Sequence, residues 1–147
     1  MSGREVTLVL CTADGDLLGA AAPFTVDNSW WNAAEDVVAT ARTALGVDVR
    51  VLRILHMPSE ADSPCGGSVA YLAEVDSAPT GVELRAWPGD PLAPHPNRLP
   101  YAQPGGHRPD LEWAITLLAD RGIALTTAPT QVRTWNLSSI SSSDKVV

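Results

Sequence analysis

The run Val6-Thr7-Leu8-Val9-Leu10-Cys11-Thr12, broken by Asp14-Gly15 and resumed by Leu17-Leu18-Gly19-Ala20, constrains this chain more than any other stretch. Asp-Gly between two apolar runs marks a tight antiparallel turn, whose central residues need positive φ. The pattern predicts a hairpin over 5–22. After a connection at 23–31, Asn32 stands as a helix N-cap with Glu35 three residues on, the spacing of a capping box. Asp36 adds negative charge in the first turn, where the helix dipole favours it. Ala34, Val37, Val38, Ala41, Ala44 and Leu45 recur at helical spacing, and Gly46 supplies the stop. These signals predict a helix over 33–45.

Beyond the helix, residues 47–56 alternate weakly and read as a strand, 58–67 as a loop, 68–75 as a second strand and 82–87 as a shorter third. Residues 88–109 are crowded with prolines and lack periodicity; so long a segment in a compact domain is functional or packed over the surface. Asp110 is expected to cap a second helix that turns Trp113, Leu117 and Leu118 inward and ends at Gly122. Residues 126–130 read as a linker, 131–137 as strand-like, and the Ser-rich 138–147 as a tail with little to bury.

Composition narrows the function classes. The 147 residues suit one ordinary domain, and 45 % hydrophobic against 18 % charged residues excludes a disordered chain. Ten Lys+Arg against 17 Asp+Glu leave a net charge of −7, which argues against nucleic-acid partners and anionic membranes, both of which need positive charge facing phosphate. No apolar run approaches the ~18 residues of a membrane span, and the first residues lack the apolar core of a signal peptide. Two cysteines, Cys11 and Cys65, are too few for a disulfide framework or a zinc site. The expectation is a cytoplasmic protein without structural metal or cofactor.

The order of hairpin, loop, helix ending in Leu45-Gly46-Val47, strands and a last helix resembles the Nudix hydrolases, which implies an α/β fold with a mixed β-sheet sandwiched between helices. That family carries a box reading Gly, five residues, Glu, seven residues, Arg-Glu-apolar-x-Glu-Glu-x-Gly-apolar, whose glutamates hold divalent metal against a diphosphate. Anchored on Gly46-Val47, its Arg-Glu falls on Ala39 and Thr40, its Glu-Glu on Thr43 and Ala44, its early Glu on Trp31 and its first Gly on Thr25. Magnesium at a diphosphate needs carboxylate oxygens, which these residues do not supply. The resemblance therefore implies a degenerate, non-catalytic member over residues 1–125.

A second resemblance lies in Gln131-Val132-Arg133-Thr134-Trp135-Asn136-Leu137-Ser138-Ser139, together with Asn28-Ser29-Trp30-Trp31, Gly67-Ser68-Val69-Ala70-Tyr71-Leu72-Ala73-Glu74 and Arg98-Leu99-Pro100-Tyr101-Ala102. These are similar to actinobacterial proteins in which a Nudix-like domain precedes an aminoglycoside-phosphotransferase-like kinase domain. By this resemblance 126–147 is a linker and the start of a truncated kinase-like segment, and the partner is a kinase-like domain following in a longer chain. Kinase activity does not carry over, because the chain stops at Val147 before a complete nucleotide site. The function expected is an accessory or recognition domain of a phosphotransferase-like protein. The alternatives are a stand-alone biosynthetic enzyme that uses acid–base residues in the Nudix cleft, and a hydrolase with relocated metal ligands.

Among residues with chemical potential, Glu35 and Asp36 fit capping better than a displaced metal site, and Asp14 and Asp16 are turn residues first. His56, His95 and His107 have no metal-ligand spacing; His56 or His107 could serve as a general acid. Cys65, in Pro64-Cys65-Gly66-Gly67, is a loop thiol, and Cys11 is expected in the core. The candidate binding residues are Trp30, Trp31, Trp87 and His107. The adjacent tryptophans are expected to meet the 88–109 segment in an apolar pocket for a small molecule. No catalytic or metal-binding residue is assigned.

Overall fold

The computed structural model describes residues 3–60, 62–134 and 138–146. Its centre is a mixed sheet built from β1 (Arg4–Thr12), β2 (Leu17–Ala20), β3 (Phe24–Val26), β4 (Val49–His56) and β5 (Ser68–Val75). The order is β2-β1-β5-β4, and β3 also pairs with β1. β1 and β2 form the expected antiparallel hairpin, with Val9 opposite Ala20. The connection expected at 23–31 in fact opens with a strand, since β3 pairs Arg4 with Val26 along the other half of β1. β1 runs parallel to β5, and β4 is antiparallel to β5 and forms the edge.

Side chains alternate across a strand, so the sheet has two apolar faces. Val6, Leu8, Leu10, Val69, Tyr71 and Ala73 form one, covered by α1 (Glu35–Leu45) through Val37, Val38 and Ala41. Val9, Cys11, Leu52 and Leu72 form the other, where Leu55, Trp87 and Leu92 pack. α1 ends as its sequence predicts: Gly46 takes a left-handed φ of 67° and returns its N–H to Arg42 O at 3.1 Å. Its start differs. Ala34 is the N-cap and makes no side-chain cap hydrogen bond. A backbone turn from Ala33 N–H to Trp30 O occupies the region expected to hold the Asn32 cap, and Asn32 O instead accepts Thr134 N–H.

Three further expectations are corrected. Residues 82–87 form no strand; their backbone pairing with the sheet is a single bridge in which Ala20 and Arg85 exchange hydrogen bonds at 2.7 and 2.8 Å. β2, itself four residues long, offers little edge for a longer ladder. The second helix, α2 (His107–Asp120), starts at His107 and not after Asp110. Pro109 sits in its first turn, where a missing N–H costs no intrahelical bond. Gly106 makes this start possible, because a Cβ there would lie 1.6 Å from Pro100 O in the 3₁₀ turn Pro100–Ala102. Trp113 points outward and is 67 % exposed. α2 runs along the margin of the fold, and its one buried residue is His107.

The segment expected as linker and loose tail is hydrogen-bonded into the fold. β6 (Ala124–Leu125) pairs with β9 (Lys145–Val146), and β7 (Thr130–Thr134) pairs with β8 (Ser139–Ser142). The Gln131 side chain accepts Val51 N–H at 2.8 Å and donates to Val51 O at 2.7 Å, imitating one strand residue on the open edge of β4. Ala34 N–H donates to Val132 O, so the same strand is tied to the start of α1. The expected strand's residues 135–137 lie outside the described residues. No helix among the described residues is long and apolar enough to cross a membrane.

Candidate functional site

The four candidate binding residues do not converge. Trp31 is 5 % exposed in the core beneath α1, and its indole N–H donates to Gly66 O at 2.9 Å. Trp30 points elsewhere, 47 % exposed, its backbone bridged to Cys65. Trp87 is half-buried on the opposite face of the sheet. The 88–109 segment also packs on that face, through Leu92, so the expected pocket between Trp31 and this segment does not form. Adjacent residues in an irregular stretch diverge, and burial took the ring that reached the sheet.

His107 is buried at the start of α2 with its ring edge-on to Tyr101. Burial, aided by the Arg50 charge, lowers its pKa to about 4, so it is neutral near pH 7. Its Nε2 has no hydrogen-bond partner. Near it, Glu74 accepts the Gly105 N–H and stands opposite Arg50 across the β4–β5 ladder. Burial and then the Glu74 charge push the Cys11 thiol up to about 11, far from a nucleophile's range. This cluster pins the α2 start to the sheet, and the cleft beside it, about 200 Å³, is lined by mixed charges including Asp76 and Arg108.

The start of α1, where the Nudix box would gather its carboxylates, holds a buried cation instead. Arg4, with its side chain fully buried, donates to Tyr71 Oη at 3.1 Å, to Asn28 O and to Ala33 O, and pairs with Asp36 at 3.7 Å. Tyr71 donates in turn to Trp31 O at 2.7 Å. Burial raises the Tyr71 pKa, and Arg4 opposes that shift. Asp36 also accepts Asn28 N–H, so its carboxylate is committed to closing the 27–34 turn. Thr25, Ala39, Thr43 and Ala44 lie exposed, and Trp31 is in the core. Among the described residues no group of three or more His, Cys, Asp or Glu side chains is placed to hold a metal ion.

A cleft of about 650 Å³ lies along β4, in the size range of small-molecule sites. One wall is the consecutive run 52–57 and the other comes from His95, Asn97, Arg98, Leu99, Tyr101 and Ala102. Thr134, on the strand that caps the β4 edge, closes one end. Arg53 holds the two walls together by donating to Ala102 O at 2.7 Å and to Pro91 O. Arg98 donates to Ala93 O within the proline segment. Burial and the nearby Arg98 charge lower the Arg53 pKa to about 10, leaving it a cation at neutral pH. His95 Nδ1 accepts Asn97 N–H at 3.2 Å, which leaves Nε2 to carry the proton.

Sequence reasoning singled out the proline-rich segment and named His56 and His95, but it did not join them to Arg53, Met57, Arg98 or Tyr101. The usable signal was the segment's length together with Arg53 on a strand that has apolar neighbours on both sides. Nothing in the sequence says that this segment folds over β4 and away from Trp31.

Neither a protein-family model, nor a curated protein, nor a solved structure matches this chain at a significant level. What the structure defines is a mixed α/β protein with one mixed central sheet and, among the described residues, two α-helices.

Proposed function

We propose that this chain is a non-catalytic recognition domain, a Nudix-like frame without its metal box, that binds a small molecule in the β4 cleft and serves a phosphotransferase-like protein. The observation that carries the reading is the cleft itself: ligand-sized, largely apolar, and, among the described residues that line it, without a single Asp or Glu. Diphosphate hydrolysis through divalent metal needs carboxylates, and so does a paired-carboxylate acid–base mechanism. The start of α1 supports the same reading, since the one well-placed carboxylate, Asp36, is engaged by Arg4 and the Asn28 N–H. The link to a phosphotransferase rests on the resemblance of 131–139 and its companion stretches alone.

The test is turnover of a panel of nucleoside diphosphate derivatives with magnesium and with manganese. The reading expects rates at background in both. Hydrolysis well above background that EDTA abolishes overturns it.

A further inference from the structure

The cleft is electrically unlike the rest of the molecule. The chain carries net charge −7, yet the described residues lining the cleft include Arg53, Arg98, His56 and His95 and no carboxylate. Arg98 lines the same cleft close enough for its charge to disfavour that of Arg53. Arg53 donates to Ala102 O and Pro91 O and Arg98 to Ala93 O, backbone carbonyls that satisfy donors without neutralising either cation. Asp90 acts favourably on Arg53 from outside the lining, while its own Oδ1 accepts Leu92 N–H. The rest of the lining is apolar or aromatic, from Ile54, Leu55, Met57, Leu99 and Tyr101. Two like charges held together beside apolar surface are stabilised by an anion that brings its own apolar body.

Building on the recognition reading, we propose that the β4 cleft binds a small organic anion, a carboxylate or phosphate group on a planar or apolar body, with the anionic group at Arg53 and Arg98 and the body on Leu55, Met57 and Leu99. The two guanidinium groups supply planar donors that suit either oxyanion. His95 Nε2–H is a further donor at the same wall. The apolar stretch supplies affinity that inorganic phosphate cannot use.

The test is a titration of the full 147-residue chain with benzoate, phenyl phosphate, benzyl alcohol and inorganic phosphate, read by amide chemical shifts. The proposal expects benzoate or phenyl phosphate to shift residues 52–57 and 95–102 saturably. Benzyl alcohol and inorganic phosphate should each bind at least about tenfold more weakly, the scale of one charge-assisted contact. Which aryl anion binds tighter distinguishes a carboxylate ligand from a phosphate one. Arg98→Ala should weaken the aryl anions by about tenfold while leaving benzyl alcohol unchanged, and Arg98→Lys should recover part of the loss. Benzyl alcohol binding as tightly as the aryl anions overturns the anion inference while leaving a recognition cleft. Shifts confined to other regions, or none, overturn both. Phenol released from phenyl phosphate with saturation of the cleft overturns the non-catalytic reading and supports the anion site.

Discussion

The two faces of the central sheet are built from the same strands and do different work. Under α1 the polar groups form one network: Arg4 reaches Tyr71, Asn28 and Ala33, Tyr71 reaches Trp31, and Asp36 Oδ1, without a hydrogen bond of its own, faces Arg4 at 3.7 Å. That face is filled, and its bound polar network fixes the turn that starts the helix. The opposite face is covered by Trp87, Leu92 and an irregular proline-rich wall, and the β4 margin is left with a cleft of about 650 Å³. A regular helix can satisfy its own backbone and bury an apolar stripe, so it closes a face; a proline-rich segment meets the sheet at scattered points and leaves room. On the recognition reading proposed above, the helix face carries the packing and the β4 margin carries the binding.

Substitutions on the filled face should have the largest effects. Trp31→Ala is expected to cost about 3–5 kcal/mol in chemical denaturation, as buried aromatic truncations do. Arg4→Ala should cost a similar amount, about 3–5 kcal/mol, because Asp36 loses its cation and two backbone carbonyls lose a donor. A loss below ~1 kcal/mol at both sites would dissolve the contrast between the faces.

The start of α2 gives a pH signature. His107 has a folded pKa of about 4, below its ordinary 6.5, so between these values the unfolded chain binds the extra proton. Stability should therefore be full above pH ~6.5 and fall as pH drops toward 4, by about 3 kcal/mol in all. Urea midpoints measured across that window check it, and His107→Gln should flatten the His107 part of the slope.

Gln131→Ala should cost about 1–3 kcal/mol by leaving Val51 N–H and O unpaired at the β4 edge. Hydrogen exchange at Val51 would then speed up in the variant, whereas an unchanged rate would mean that the edge is satisfied some other way. The smallest effect belongs to Trp30→Ala, within about 0.5 kcal/mol of the parent because its ring stands half in solvent. The adjacent tryptophans thus make an internal control.

How much of this was legible in the sequence follows from how local each signal is. Asp14-Gly15 and Gly46 encode their turns in their own backbone preferences, so the first hairpin and the end of α1 were readable. β3 was not, because three residues with no flanking pattern become a strand only by meeting Arg4–Val6 across the sheet. Gln131 was equally invisible: a side chain that imitates a strand has no periodicity. For the cleft, the proline segment announced itself by its length, but its choice of face depends on Arg53 reaching Pro91 and Ala102, residues 38 and 49 positions away. Trp113 was misjudged because helical spacing alone does not say which side of α2 meets the sheet.

The central claim is that binding resides in the β4 cleft and is separable from the packing that holds the fold. Met57, 51 % exposed in the cleft lining, offers the most direct measurement, the affinity of Met57→Glu for phenyl phosphate alongside its thermal midpoint. The account predicts an affinity loss of at least about tenfold, from a carboxylate placed where the lining has none, with the midpoint held. Unchanged affinity, or a loss that only tracks unfolding, would contradict it.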